Sequence, residues 1–134
     1  GVLAPDPVEH REPACQGLAL ALAAGRGWGL TVLDGVHNAI DDDAGFEAVC
    51  RQGAALGFDG KTLIHPAQLA VTNEVFAPSE ADIALAREQV AAFEAAEAEG
   101  KGVAVVDGKI VENLHIVTAR QTLAKADAIA ALGA

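Results

Sequence analysis

The 134-residue sequence has no tyrosine, no methionine, one tryptophan (Trp28) and only 4% aromatic residues. Such a chain cannot offer the rows of stacked rings that single-stranded nucleic acids bind. Basic residues are also scarce: nine Lys and Arg stand against 19 Asp and Glu, a formal net charge of −10. That charge repels phosphate backbones and anionic lipid, so neither nucleic acid nor a membrane surface is an expected partner. No apolar run approaches the roughly 18 residues needed to span a bilayer. The opening Gly1-Val2-Leu3-Ala4-Pro5 lacks a charged segment followed by an apolar one, so no signal peptide is expected. A start at Gly1 instead of Met points to a processed, tagged or incomplete chain. The two cysteines, Cys15 and Cys50, form no CxxC and have no histidine at ligand spacing; reduced thiols in a cytoplasmic protein are the expectation. GxSxG, GxxxxGK[ST] and GxGxxG are all missing, which removes the hydrolase elbow, the P-loop and the dinucleotide fingerprint.

What remains is a chain of ordinary domain size with 51% hydrophobic residues, enough for a core. An Ala/Leu-rich stretch from Ala14 to Ala24 reads as a buried helix closed by Gly25 and Gly27. Leu30-Thr31-Val32-Leu33 reads as a buried strand ending at Asp34-Gly35. Asp41-Asp42-Asp43 opens a second helix with carboxylates suited to its positive end; Phe46, Val49, Cys50 and Leu56 form its apolar stripe, and Gly57 stops it. Lys61-Thr62-Leu63-Ile64 is a second strand, followed by His65 and by Pro66 at the first position of a helix to Phe76. Helix, strand, helix, strand, helix is the rhythm of a parallel α/β fold.

Residues 79–134 differ. Ser79-Glu80-Ala81-Asp82 resembles a capping box and begins an acidic helix to about Glu99, terminated by Gly100 and Gly102. Val103–Val106 and Lys109–Val111 flank Asp107-Gly108, a two-residue hairpin turn. A last helix, capped by Asn113, runs to about Leu132. The expected division is therefore 1–78 and 79–134. Two strands cannot form a self-sufficient parallel sheet, so the sequence reads as the end of something larger.

In parallel α/β folds, functional groups collect at the carboxyl ends of strands. Asp34 and His65 occupy such positions; each also reads as plain structure, Asp34-Gly35 as a turn and His65 as a helix cap. Asp41–Asp43 lacks the Gly and Glu spacing of an EF-hand loop and reads as a cap. His37 with that acidic run could ligate a metal, but no second histidine lies at helical spacing. Glu112, between the hairpin and the last helix, either leans over a pocket or helps to cap the helix.

Several strings are more specific: Asp34-Gly35-Val36, Ala55-Leu56-Gly57-Phe58-Asp59-Gly60-Lys61, Ile64-His65-Pro66-Ala67-Gln68, Asn73-Glu74-Val75-Phe76-Ala77-Pro78-Ser79, Gly102-Val103 and Asp107-Gly108-Lys109-Ile110-Val111-Glu112. On these the chain resembles the citrate lyase β-subunit-like family, which includes malyl-CoA lyases, citramalyl-CoA lyases and related thioesterases, over residues 14–126. The resemblance implies the C-terminal portion of a (β/α)₈ barrel, a fold of about 250 residues: the last two strands and helices in 1–78, then a helix-hairpin-helix lid in 79–134. It implies a Mg²⁺-dependent carbon–carbon lyase that splits a 3-hydroxyacyl-CoA such as malyl-CoA or citramalyl-CoA into an acyl-CoA and a 2-oxo acid, with the metal ligands upstream of this chain. A malyl-CoA-type thioesterase and a non-catalytic assembly module are the alternatives. It further implies a homo-oligomer, trimer or hexamer, whose lid reaches a neighbouring subunit.

By the same resemblance Glu112 stands where the family carries a catalytic Asp, and Asp34 with Ile64, His65 and Pro66 would line the coenzyme A site. Two departures stand out. Glu112 is one methylene longer than Asp, and about 1 Å of misplacement can cost two orders of magnitude in rate. Ala39 replaces an acid that many relatives carry in its loop.

Overall fold

The computed structural model describes residues 11–101 and 103–132. The leader reading at residues 1–5 and the helix stop at Gly102 lie outside the described residues. The chain divides into two compact units, separated between Phe76 and Ala77.

In the first unit a short 3₁₀ turn, Glu12–Ala14, leads into α1 (Cys15–Gly27), then β1 (Leu33–Asp34), α2 (Asp43–Leu56), β2 (Gly60–Lys61) and α3 (Gln68–Phe76). The two strands pair in parallel, Leu33 opposite Gly60 and Asp34 opposite Lys61. The alternation of helix and strand thus gives the α/β class that the sequence pattern implied. Three details differ. Helix α1 continues past Gly25 to Gly27. The ladder forms at the end of the Leu30–Leu33 run and includes Asp34, and in the second strand at Gly60–Lys61, ahead of Thr62–Ile64. Finally, α3 starts at Gln68, two residues after Pro66, because His65 and Pro66 belong to the turn before it. The expected burial of the first run also fails for Leu30 and Leu33, which are 58% and 56% exposed. A two-stranded sheet has no neighbour to cover them.

Helix α2 begins as its sequence suggests. The Asp42 carboxylate accepts the Gly45 N–H at 3.0 Å, satisfying one of the orphan donors of the first turn. Its buried face carries Phe46, Val49 and Cys50, with Leu22 of α1 and Phe58 completing the apolar core. Each fully buried side chain of this size contributes about 1.5–3 kcal/mol through water exclusion.

The second unit comprises α4 (Glu80–Ala98), a hairpin of β3 (Ala104–Val106) and β4 (Lys109–Val111), and α5 (Asn113–Leu132) packed on α4. Ser79 and Asp82 form the reciprocal box: Ser79 Oγ accepts the Asp82 N–H at 3.1 Å, and the Asp82 carboxylate accepts the Ser79 N–H at 3.1 Å. The Ser79 hydroxyl also donates to that carboxylate at 2.6 Å, and this bond, with the one from the Ser79 N–H, holds the Asp82 carboxyl below its ordinary value. The hairpin pairs Ala104 with Val111 and Val106 with Lys109. Asp107 and Gly108 both have positive φ, 49° and 72°, the geometry that matches a right-twisted two-residue hairpin. The core is Ala96, Ala104, Val106, Val111 and Ile116, with Ala92 and Phe93 packed against it.

Candidate functional site

Each unit places candidate residues at one corner. In the first, the corner lies at the carboxyl ends of β1 and β2. Asp34 is 1% exposed. One carboxylate oxygen accepts from the Arg11 guanidinium at 2.7 Å and from the Gly35 N–H at 2.8 Å. The other accepts from Lys61 Nζ at 2.9 Å, and that ammonium also donates to the Gly35 carbonyl at 2.6 Å. A buried carboxylate is tolerable only when paired and hydrogen-bonded in this way. Gly53 on α2 has the same origin: a Cβ there would lie 2.8 Å from an Asp34 oxygen, so only glycine lets the helix approach. The Asp34 carboxylate therefore faces inward and is engaged by the protein itself.

The Ile64-His65-Pro66-Ala67-Gln68 string has an equally physical basis. The buried Gln68 amide accepts the Ile64 N–H at 3.1 Å and donates to the His37 carbonyl at 3.1 Å. One side chain thus ties the two strand-end loops together. His65 is exposed and its Nδ1 accepts the Ala67 N–H at 3.3 Å, which caps the turn into α3; Ile64 and Pro66 are exposed beside it. His37 packs on Phe46, ring centroids 5.7 Å apart, and its Nε2 is buried without a hydrogen-bond partner among the described residues. Asp59 of the longer string accepts from Arg26 at 2.7 Å and from the Val32 N–H at 2.8 Å, clamping α1 to the strand entry. Cys15 and Cys50 are free thiols; burial raises the Cys50 pKa above its ordinary value, outweighing its 3.9 Å contact with Thr72.

Sequence reasoning singled out neither Arg11 nor the joint role of Lys61 and Gln68. Nothing local marks them, because Arg11 and Lys61 are 23 and 27 residues from Asp34.

The second corner lies between β4 and α5. Glu112 is exposed and precedes the helix, so Asn113 is the first helical residue and not its cap. The Glu112 carbonyl accepts from the His115 N–H at 2.9 Å. The Glu112 N–H donates to His115 Nδ1 at 3.0 Å. Its carboxylate has no hydrogen bond or ion pair among the described residues. Glu112 lines a shallow depression of about 440 Å³ together with Phe93, Val103, Ile110, Val111 and Asn113. A free carboxylate beside apolar surface is equipped to move a proton to or from a bound molecule. Among the described residues, no three His, Cys, Asp or Glu side chains gather as a metal site. No helix among them is long and apolar enough to cross a membrane.

The fold and these corners define an α/β protein with a strand-end scaffold and an appended carboxylate-bearing hairpin. No protein-family model matches the chain. Individual relatives do. A (3S)-malyl-CoA thioesterase of Cereibacter sphaeroides is 69% identical over 118 residues, covering 88% of this chain and 41% of that protein. An L-malyl-CoA/beta-methylmalyl-CoA lyase of the same organism is 43% identical over 113 residues, 84% of this chain and 36% of that protein. Among solved structures, CitE from Mycobacterium tuberculosis, in complex with magnesium, acetoacetate and coenzyme A, matches with a TM-score of 0.68 at 32% identity over 87% of this chain and 42% of that one. A citrate lyase from Burkholderia xenovorans matches in fold alone, TM-score 0.69 at 20% identity, over 95% of this chain and 39% of that one.

The chain is thus a member of the citrate lyase β-subunit-like and malyl-CoA lyase family, matching its C-terminal portion. It spans about two fifths of the length of the curated relatives it matches. Within that family the carbon–carbon lyase expectation is overturned: thioesterases match at 68–69% identity, the lyases only at 42–43%. Most of the strings that suggested the family do structural work in this chain, as Asp59, Lys61 and Gln68 show.

Proposed function

We propose that this chain belongs to a thioesterase that hydrolyses a short 3-hydroxyacyl-CoA of the malyl-CoA type. The identity contrast between thioesterases and lyases carries this reading. In it, the first unit supplies the last two strands and helices of a (β/α)₈ barrel, and the second is a lid whose Glu112 serves the site of a neighbouring subunit in a homo-oligomer. The parallel pairing of β1 with β2 and the exposed apolar side chains of Leu30 and Leu33 support the barrel reading. The exposed surface of Ile64, His65 and Pro66 borders the coenzyme A.

The chemistry assigned to Glu112 is general acid–base catalysis. Its carboxylate takes a proton as a water oxygen attacks the thioester carbonyl. The C–S bond then breaks, and the proton passes to the departing thiolate, leaving malate and free coenzyme A. The magnesium seen with CitE finds no ligand set among the described residues.

Product analysis tests the reading. The complete protein, given (3S)-malyl-CoA, should release free thiol and malate in equal amounts without glyoxylate. Equimolar acetyl-CoA and glyoxylate would overturn it.

A further inference from the structure

The two capping arrangements of the second unit differ in one respect. At Ser79 both halves of the box are closed: the cap side chain and the third helical residue each accept the other's N–H. At Glu112 only one half is closed. His115, the third helical residue of α5, accepts the Glu112 N–H on Nδ1 at 3.0 Å, while the Glu112 carboxylate does not turn back to cap the helix. A glutamate at a helix start would ordinarily be drawn toward the unpaired N–H groups and the positive end of the dipole. Here the backbone is held by the His115 ring, and Glu112 lines the Phe93–Val103–Ile110 depression with its carboxylate unpartnered among the described residues.

We propose that His115 is the positioning residue for Glu112. With Nδ1 bare as an acceptor, the ring proton sits on Nε2, so the neutral imidazole is the competent form. The ring fixes the Glu112 backbone at the end of β4, and from there the flexible side chain has a defined origin. This rests on the reading of Glu112 as the acid–base group and adds the residue that sets its geometry.

The test is a set of variants in the complete protein, assayed on (3S)-malyl-CoA with folding followed by circular dichroism. His115→Ala removes the acceptor; His115→Asn restores one, because its Oδ1 lies close to the position of Nδ1. We expect His115→Ala to lower kcat by roughly 10- to 100-fold, the cost of small misplacement, with KM nearly unchanged. His115→Asn should recover most of kcat, and His115→Ala should cause no further loss when added to Glu112→Gln. Wild-type kcat in His115→Ala, no recovery in His115→Asn, or an equal loss in both backgrounds would each overturn the proposal. A fully active Glu112→Gln with His115 intact would instead remove the reading on which it rests.

Discussion

The two corners use polar side chains in opposite ways. At the strand ends of the first unit, Asp34, Lys61, Arg11 and Gln68 are spent on one another and on nearby backbone, and three of the four are buried. At the start of α5, Glu112 is exposed and its carboxylate is unengaged among the described residues. A saturated cluster can hold loops in place but has no oxygen to offer a substrate. A free carboxylate on a fixed backbone has the reverse properties. The difference sets a carboxylate engaged by the fold against one left free within one chain.

The comparison can be broken most severely at Lys61. Lys61→Met leaves the Asp34 carboxylate buried with one partner fewer, and unfolding in urea should show a loss of about 3–5 kcal/mol. Adding Asp34→Leu and Arg11→Met should recover much of it, since a buried ionic cluster replaced on every side is often nearly neutral. No recovery in the triple variant would mean that the cluster is not the source of the loss. A smaller effect is expected at Gln68. Gln68→Leu orphans the part-buried Ile64 N–H and His37 carbonyl, at about 1 kcal/mol; hydrogen exchange at the Ile64 amide should rise with it.

The second unit's caps sharpen the contrast at the lower end. Ser79→Ala should cost about 1 kcal/mol of stability at neutral pH. The Ser79 bonds lower the Asp82 pKa, so that carboxyl's contribution is complete above the ordinary value of 3.8 and is lost as pH falls through its lower folded value. The gap between wild type and Ser79→Ala should therefore narrow below pH 3.8, as measured by thermal unfolding across acid pH. A gap that stays constant would show that Asp82 is not coupled to the cap.

Much of this organisation was legible in the sequence because it is local. The Ser79/Asp82 box, the Asp42 cap and the Asp107-Gly108 turn each depend on residues a few positions apart. The order of helices and strands follows from hydrophobic period. The strand limits were less legible, because a ladder exists only where a partner is also extended. Leu30–Leu33 reads as buried yet lies beside a sheet of two strands, with Leu33 more than half exposed. The ionic network around Asp34 was invisible, since its members meet only through the fold. The choice between hydrolysis and carbon–carbon cleavage was invisible for another reason: most of the recognisable residues outside Glu112 hold the fold. Gly57 ends a helix, Asp59 clamps a strand entry, Lys61 neutralises Asp34 and Gln68 ties two loops.

The central claim is that Glu112 does chemistry while the strand-end cluster holds shape. Its most direct test is the hydrolysis rate of Glu112→Gln on (3S)-malyl-CoA, measured beside its thermal midpoint. We predict a fall in kcat of roughly 10²- to 10⁴-fold, the usual contribution of a general acid–base group, with the midpoint unchanged because the side chain supports nothing in the fold. A rate within a few fold of wild type would contradict the account.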